Sequence, residues 1–308
     1  MSKISILVPV YFNETNLRVT IPILQNILNS LTDMEGELVI VDDHSEDRSF
    51  EILREFATQD QRLKLIRLAK NFGAHTALLA GLDYTTGDCL VIIMADLQDP
   101  PELIPEMIQK WRDGNKIVIA ARTDREDRWI DRVFASFFWR FMRRFAIPSI
   151  PKGGFDFVLF DRAVRDILVQ MREKNSHLMT QILWTGFSTA TIPYTRQKRK
   201  FGKSKWTLSK KIKLFIDSAI AFSYVPVRFM SILGVSTAFL GFLYAAYVLI
   251  LRLITGSPVQ GWTSLMIVAL LIGGMQMAML GVIGEYLWRT YDEARHRPSY
   301  IIAEKHNL

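Results

Sequence analysis

The stretch Leu90-Val91-Ile92-Ile93-Met94-Ala95-Asp96-Leu97-Gln98-Asp99-Pro100-Pro101-Glu102 decides how the chain is read. Its apolar half, Leu90 to Ala95, predicts a strand buried on both faces, as in a parallel sheet. The run stops at Asp96, Gln98 and Asp99, and Pro100-Pro101 prevents the strand from continuing. In open α/β sheets ligands bind beyond the carboxyl ends of the strands. Oxygen donors placed there suit a hard divalent ion bridging a diphosphate. The plainer reading is a strand-to-helix turn with Asp99 as the cap.

On the amino-terminal side the same pattern repeats. Ile4 to Val10 predicts a strand that runs into Pro9-Val10-Tyr11-Phe12-Asn13-Glu14, and Leu17 to Leu31 carries apolar residues at helical spacing. Leu38 to Val41 predicts a second strand, ending in Asp42-Asp43, which either reach a ligand or cap the following helix. Leu63 to Leu68 predicts a third, followed by Lys70-Asn71-Phe72-Gly73. Alternation of strand and helix predicts a right-handed, doubly wound α/β sheet. No Gly-x-Gly-x-x-Gly follows the first strand, which argues against a dinucleotide site.

Beyond the central stretch, Ile117 to Ala121 predicts a fifth strand ending in Arg122, with Arg125, Arg128, Arg132 and Ser136 after it. Arginine pairs phosphate oxygens bidentately and stays charged, whereas Arg125 and Arg128 read better as a solvated face. Lys152-Gly153-Gly154-Phe155-Asp156 allows close backbone approach to a ligand. Its alternative is a turn in which Asp156 accepts local amides.

The net charge of +7 is concentrated between Arg196 and Lys213, where nine basic residues stand without an acid, so the remainder is net negative. Such a segment suits nucleic acid, anionic lipid or a phosphate-bearing substrate. The residues downstream of it favour lipid. Leu208 to Val225 reads as an interfacial amphipathic helix. The segments 229–251 and 262–284 each hold 23 uncharged residues, enough to span a bilayer core. Basic residues flank both outer ends, which predicts cytoplasmic termini. The sole cysteine, Cys89, precludes an internal disulfide, the histidines lack metal-ligand spacing, and no signal peptide is expected.

Asp96-Leu97-Gln98-Asp99-Pro100-Pro101-Glu102 resembles the metal-binding strand end of family 2 glycosyltransferases acting on polyprenyl phosphates. The likeness extends to bacterial undecaprenyl-phosphate glucosyltransferases and dolichol-phosphate mannose synthases. That family usually reads Asp-Ala-Asp where this chain has Met94-Ala95-Asp96, so metal binding falls to Asp96 with Gln98 or Asp99. The resemblance implies a nucleotide-sugar GT-A (Rossmann-like) domain over 1–200, then a basic loop and interfacial helix over 201–228. It further implies transmembrane helices at 229–251 and 262–284, joined by an extracytoplasmic loop, and a cytoplasmic tail over 285–308.

The same resemblance assigns Pro9, Tyr11, Asn13, Glu14, Asp42, Asp43 and Lys70 to the donor nucleotide. Arg199 and Lys205 belong to a mobile loop over the diphosphate. Arg122, Arg132 and Ser136 face the lipid phosphate, and Asp156 orients substrate or serves as a base. The implied cofactor is Mg2+ or Mn2+. UDP-glucose is the preferred donor, with GDP-mannose or a modified UDP-sugar as alternatives. The partners are a polyprenyl phosphate and a bacterial cytoplasmic membrane, without nucleic acid, and a homo-oligomer stays open. A non-catalytic lipid-binding or lipid-flipping protein is the rival that Met94 favours.

Overall fold

The computed structural model describes residues 1–122, 140–144, 147–151, 154–171, 173, 176–195, 217, 220, 223, 225–255 and 261–308. The chain divides into two units, one of Met1–Ser218 with Pro298–Leu308, the other of Ala219–Arg297.

The first unit is built on β1 (Ser2–Val10), β2 (Met34–Asp42), β3 (Leu63–Leu68) and β4 (Cys89–Ile92). Their apolar runs make them near-continuously buried, and they pair in parallel. Register brings Val10 beside Asp42 and Leu7 beside Ile92, so the polar residues that end these strands emerge along one rim. Helices α1 (Glu14–Ser30), α2 (Ser49–Gln59) and α3 (Ala74–Leu82) connect them, and α4 (Ile104–Arg112) follows β4. On α1, Leu17, Ile21, Leu24 and Leu28 are buried, as their spacing predicts. α3 lies so near β1 that a Cβ on Gly81 would stand 2.2 Å from Leu7 Cδ1.

The parallel order β4-β1-β2-β3 bears out the doubly wound arrangement expected of these strands, and further strands extend the sheet on both sides. β5 (Ile117–Arg122), β6 (Phe157–Asp161), β7 (Thr189–Tyr194) and β8 (Ile302–His306) complete an eight-stranded order β7-β5-β6-β4-β1-β2-β3-β8. β6 runs antiparallel between β4 and β5, and β8 runs antiparallel along β3, so the sheet is mixed. Helices α5 (Arg162–Met171) and α6 (Leu178–Trp184) join β6 to β7. The segment expected to be a tail therefore supplies an edge strand. Asn307 Nδ2 bonds the Ala57 and Leu63 carbonyls at 2.6 and 3.0 Å. The Tyr300 hydroxyl donates to Asp83.

The second unit contains α7 (Val225–Thr255) and α8 (Trp262–Ala294). The stretches Val227–Leu251 and Leu265–Ala294 are long and apolar enough to cross a membrane, the most apolar 18 residues of each having mean hydropathies of 1.9 and 2.2. Their large apolar side chains are exposed, Phe242 and Leu253 among them, unlike those of a soluble core helix. An apolar surface of this extent requires a non-aqueous cover. The expected Leu208 to Val225 helix lies almost wholly outside the described residues.

At the opposite end of the sheet from the rim, buried Glu37 accepts from Ser5 Oγ at 2.6 Å and from the Thr86 amide at 2.6 Å. Lys3 and Lys64 reach it at 2.8 and 3.0 Å. Burial raises its pKa, but these partners together outweigh burial and hold it at about 2 rather than 4.5. Glu37→Ala should cost roughly 3–5 kcal/mol, because two lysines and several donors lose their anion. The folded pKa lies below the unfolded one, so the contribution is complete above pH 4.5 and fades as pH falls toward 2. Thermal unfolding of detergent-solubilised protein across that range checks this: wild type should lose stability that Glu37→Ala never had.

Candidate active site

Three neighbouring strands end in a left-handed residue that is not glycine. Phe12 (φ 54°) follows β1, His44 (φ 60°) follows β2 and Leu97 (φ 54°) follows β4. Each costs on the order of 1–3 kcal/mol and persists only where its surroundings enforce it, as at binding sites. Around Phe12 and His44 those surroundings are hydrogen bonds between adjacent loops.

The Phe12 amide donates to Ser45 Oγ at 3.0 Å and the Asn13 amide to Ser49 Oγ at 2.9 Å. Glu14 accepts the Arg48 amide at 3.1 Å. Asp42 is fully buried, receives the Ser45 amide and stands 3.5 Å from Arg67 Nε. Asp43 accepts the Phe72 and Gly73 amides at 2.7 and 2.8 Å. Burial raises the pKa of both acids. The pair thus holds the loops after β2 and β3 in place. On the ledge so formed, Tyr11 and Phe12 are exposed, their rings edge to face at 4.6 Å. Exposed Lys70 lies over the Phe72 ring at 5.0 Å, and Pro9 is buried within β1.

After β4, Ile93 still bonds Leu7, then the chain turns earlier than the apolar run predicts. Asp96 and Gln98 are partly exposed, and the Gln98 amide donates to Asp96 Oδ1 at 3.3 Å. Asp99 is nearly inaccessible and is neither a cap nor a surface ligand. It accepts from the Tyr194 hydroxyl and lies 4.0 Å from Arg122. Of the three residues expected at a metal, Asp99 is the enclosed one, with its carboxylate beside Tyr194 and Arg122, whereas Asp96 and Gln98 are partly exposed.

Arg122 joins the two halves of the site. Its guanidinium donates to Asp156, and its Nε to the Tyr194 hydroxyl at 3.3 Å. Burial opposes the charge, but Asp156 and Asp99 outweigh it and keep the pKa above its ordinary value. The Arg122 side chain is 7% exposed against 38% for Asp156. Asp156 therefore presents the more open face of the pair. Tyr194 escaped sequence reading. Its one signal is register, since β7 pairs it with Arg122. Burial, then Asp99, push its phenol pKa upward.

Two hard oxygen donors, Asp96 and Gln98, fit a divalent ion that takes its remaining ligands from water and a diphosphate. Among the described residues, no group of three His, Cys, Asp or Glu side chains forms a protein-only cage. Arg132, Ser136, Arg199 and Lys205 lie outside the described residues.

Residues 5–170 match the model of glycosyl transferase family 2. The chain belongs to that family. It is 41% identical over 305 residues to the uncharacterized glycosyltransferase YkcC of Bacillus subtilis (strain 168), covering 99% of this chain and 94% of that one. It is 36% identical over 304 residues to the bactoprenol glucosyl transferase of Shigella phage SfV, covering 97% and 98%. Among solved structures it matches glucosyl-3-phosphoglycerate synthase from Mycobacterium tuberculosis in complex with Mg2+ and uridine diphosphate. That match has 16% identity and a TM-score of 0.48, over 70% of this chain and 78% of that one. The protein is a glycosyltransferase with a GT-A-type mixed α/β sheet.

Tyr194→Phe should leave Asp99 short of a donor in a buried setting, costing about 1–3 kcal/mol. Because Arg122 shares the same hydroxyl, transfer should fall as well. Thermal unfolding and sugar transfer measured on one preparation check this; an unchanged melting temperature would show the hydroxyl to be dispensable.

Proposed function

We propose that this glycosyltransferase moves a hexose, preferentially glucose, from a UDP-sugar to a polyprenyl phosphate at the cytoplasmic face of a bacterial membrane. The observation that carries the reading is one chain holding both parts. A strand-end site with Asp96, Asp156 and a loop ledge precedes two helices fit to cross a membrane. The near full-length likeness to bactoprenol glucosyl transferases supports the lipid acceptor. Because β8 follows the two helices and rejoins the same sheet, a spanning pair would make an even number of crossings. Both connections to the catalytic sheet then lie on one side. The charge flanking the pair favours the cytoplasmic side.

The acceptor phosphate monoester has a second pKa near 6, so at neutral pH it is already largely an anionic nucleophile. In a single displacement its oxygen bonds to the anomeric carbon while the bond to the UDP oxygen breaks, inverting the centre. No strong base is needed, and the chain's work is positioning and charge neutralisation. Tyr11, Asn13, Glu14 and Lys70 would meet the nucleotide on the ledge that Asp42 and Asp43 brace. Asp96 and Gln98 would hold a Mg2+ or Mn2+ ion, which supplies charge neutralisation for the departing diphosphate. Asp156, held by Arg122, would orient the sugar. Arg132 and Ser136 would receive the lipid phosphate, and Arg199 and Lys205 would close over the diphosphate.

Purified protein incubated with labelled nucleotide sugars and undecaprenyl phosphate tests the reading, with labelled lipid from UDP-glucose as the expected product. Asp96→Ala should lower transfer roughly 10²-fold or more without loss of membrane insertion. Wild-type turnover by that variant, or full activity in excess chelator, would remove the metal from the account.

A further inference from the structure

The transfer site leaves two histidines unused. His75 stands in the first turn of α3, directly after the loop that Asp43 ties down, and His177 precedes α6. Their rings stack, with centroids 6.4 Å apart and planes 17° apart. His75 is fixed: its Nδ1 accepts the Leu178 amide at 2.9 Å, and its Nε2 faces the Glu173 carbonyl at 3.5 Å. That pattern requires a neutral ring with the proton on Nε2. Burial, with a smaller contribution from His177, lowers the His75 pKa to about 4.

His177 is different. Among the described residues no hydrogen bond occupies either of its ring nitrogens, although the residue is only partly exposed. Asp156 is near enough for its charge to act on the ring. One helical turn along α6, the side-chain oxygen of fully buried Gln181 has no hydrogen-bond partner among the described residues. The ring thus stacks on His75, which opens the helix after the loop that Asp43 ties down, and its polar edge is uncommitted among the described residues.

We propose that His177 is a further substrate-contacting residue, a neutral imidazole that hydrogen-bonds one hydroxyl of the transferred sugar beside Asp156, with His75 as its platform. A hydroxyl suits this ring better than a phosphate does. Burial lowers the His177 pKa and Asp156 only partly restores it, and the neutral His75 behind it adds no charge. An imidazole has one donor and one acceptor nitrogen, the complement of a hydroxyl that both donates and accepts. A site that hydrogen-bonds a hydroxyl discriminates strongly against a sugar lacking it, because its polar group is then left unpaired. His177 would thus help to set which hexose is transferred.

The inference rests on the UDP-sugar reading, and the test separates the two. Full-length protein in detergent is assayed with undecaprenyl phosphate and UDP-glucose, then with the 2-, 3-, 4- and 6-deoxyglucose analogues of that donor. UDP affinity is measured alongside. Wild type should show a penalty of about tenfold or more at one position. His177→Ala should lower kcat/KM for UDP-glucose by a similar factor, erase the penalty at that position only, and leave UDP affinity unchanged. His177→Gln, which keeps a donor and an acceptor, should restore part of the penalty. Identical deoxy-sugar profiles in wild type and His177→Ala would overturn the proposal. So would a parallel loss of UDP affinity in both variants, which would mark the ring as structural only. If wild type transfers glucose from no UDP donor, the functional reading itself fails and takes this proposal with it.

Discussion

Arg122 fixes a positive charge at the end of β5, inside the protein, with 7% of its side chain exposed. A charge withdrawn from water is tolerated only if it is paired and its donors are met. The sheet meets that demand from three directions. The parallel register of β7 brings Tyr194 alongside, the turn after β4 brings Asp99, and the reversed direction of β6 starts that strand at the same rim with Asp156. Had β6 run parallel to its neighbours, its first residue would lie at the opposite end of the sheet. The mixed topology and the composition of the site are therefore one constraint.

The donor side follows a second rule, in which strain is held in place by hydrogen bonds between loops. Phe12, His44 and Leu97 occupy backbone conformations that L side chains avoid. Serine hydroxyls and the two oxygens of Asp43 fix the connections around the first two. The result is a rim whose backbone is set before any ligand arrives, which reduces the ordering cost of binding. On it, Tyr11 and Phe12 keep exposed aromatic faces where most apolar side chains of this unit are buried.

These features differ in how far they can be read from the chain. The first four strands, their helices and the apolar pair followed from periodicity, because that signal is local and burial on a sheet face enforces it. Asp96 and Asp156 followed from the resemblance and from their places beside Pro100 and Gly154. Tyr194 did not, because its role depends on a register between residues 72 positions apart. The burial of Asp99 was hidden for a similar reason: nothing local shows whether a carboxylate at a strand end faces solvent or an arginine from another strand. His75 and His177 are separated by 102 positions, and only the packing of α3 against the segment before α6 brings them together. β8 was read as a tail because five residues flanked by charge carry too weak an alternation to compete.

That strand has a consequence for assembly. An unpaired edge such as that of β3 invites association with other chains. Here the edge is covered by residues that follow both apolar helices, so the sheet cannot be complete until that pair has been made. The cover also bears on the site. The Ala69 amide bonds the Ile301 carbonyl at 2.8 Å, one residue before Lys70 and in the loop whose far end Asp43 holds. Glu304 stands 3.7 Å from Arg67, which in turn neighbours Asp42. The last residues of the chain thus brace the donor ledge from its outer side. The ledge reaches its final form only once the residues beyond the two apolar helices are in place.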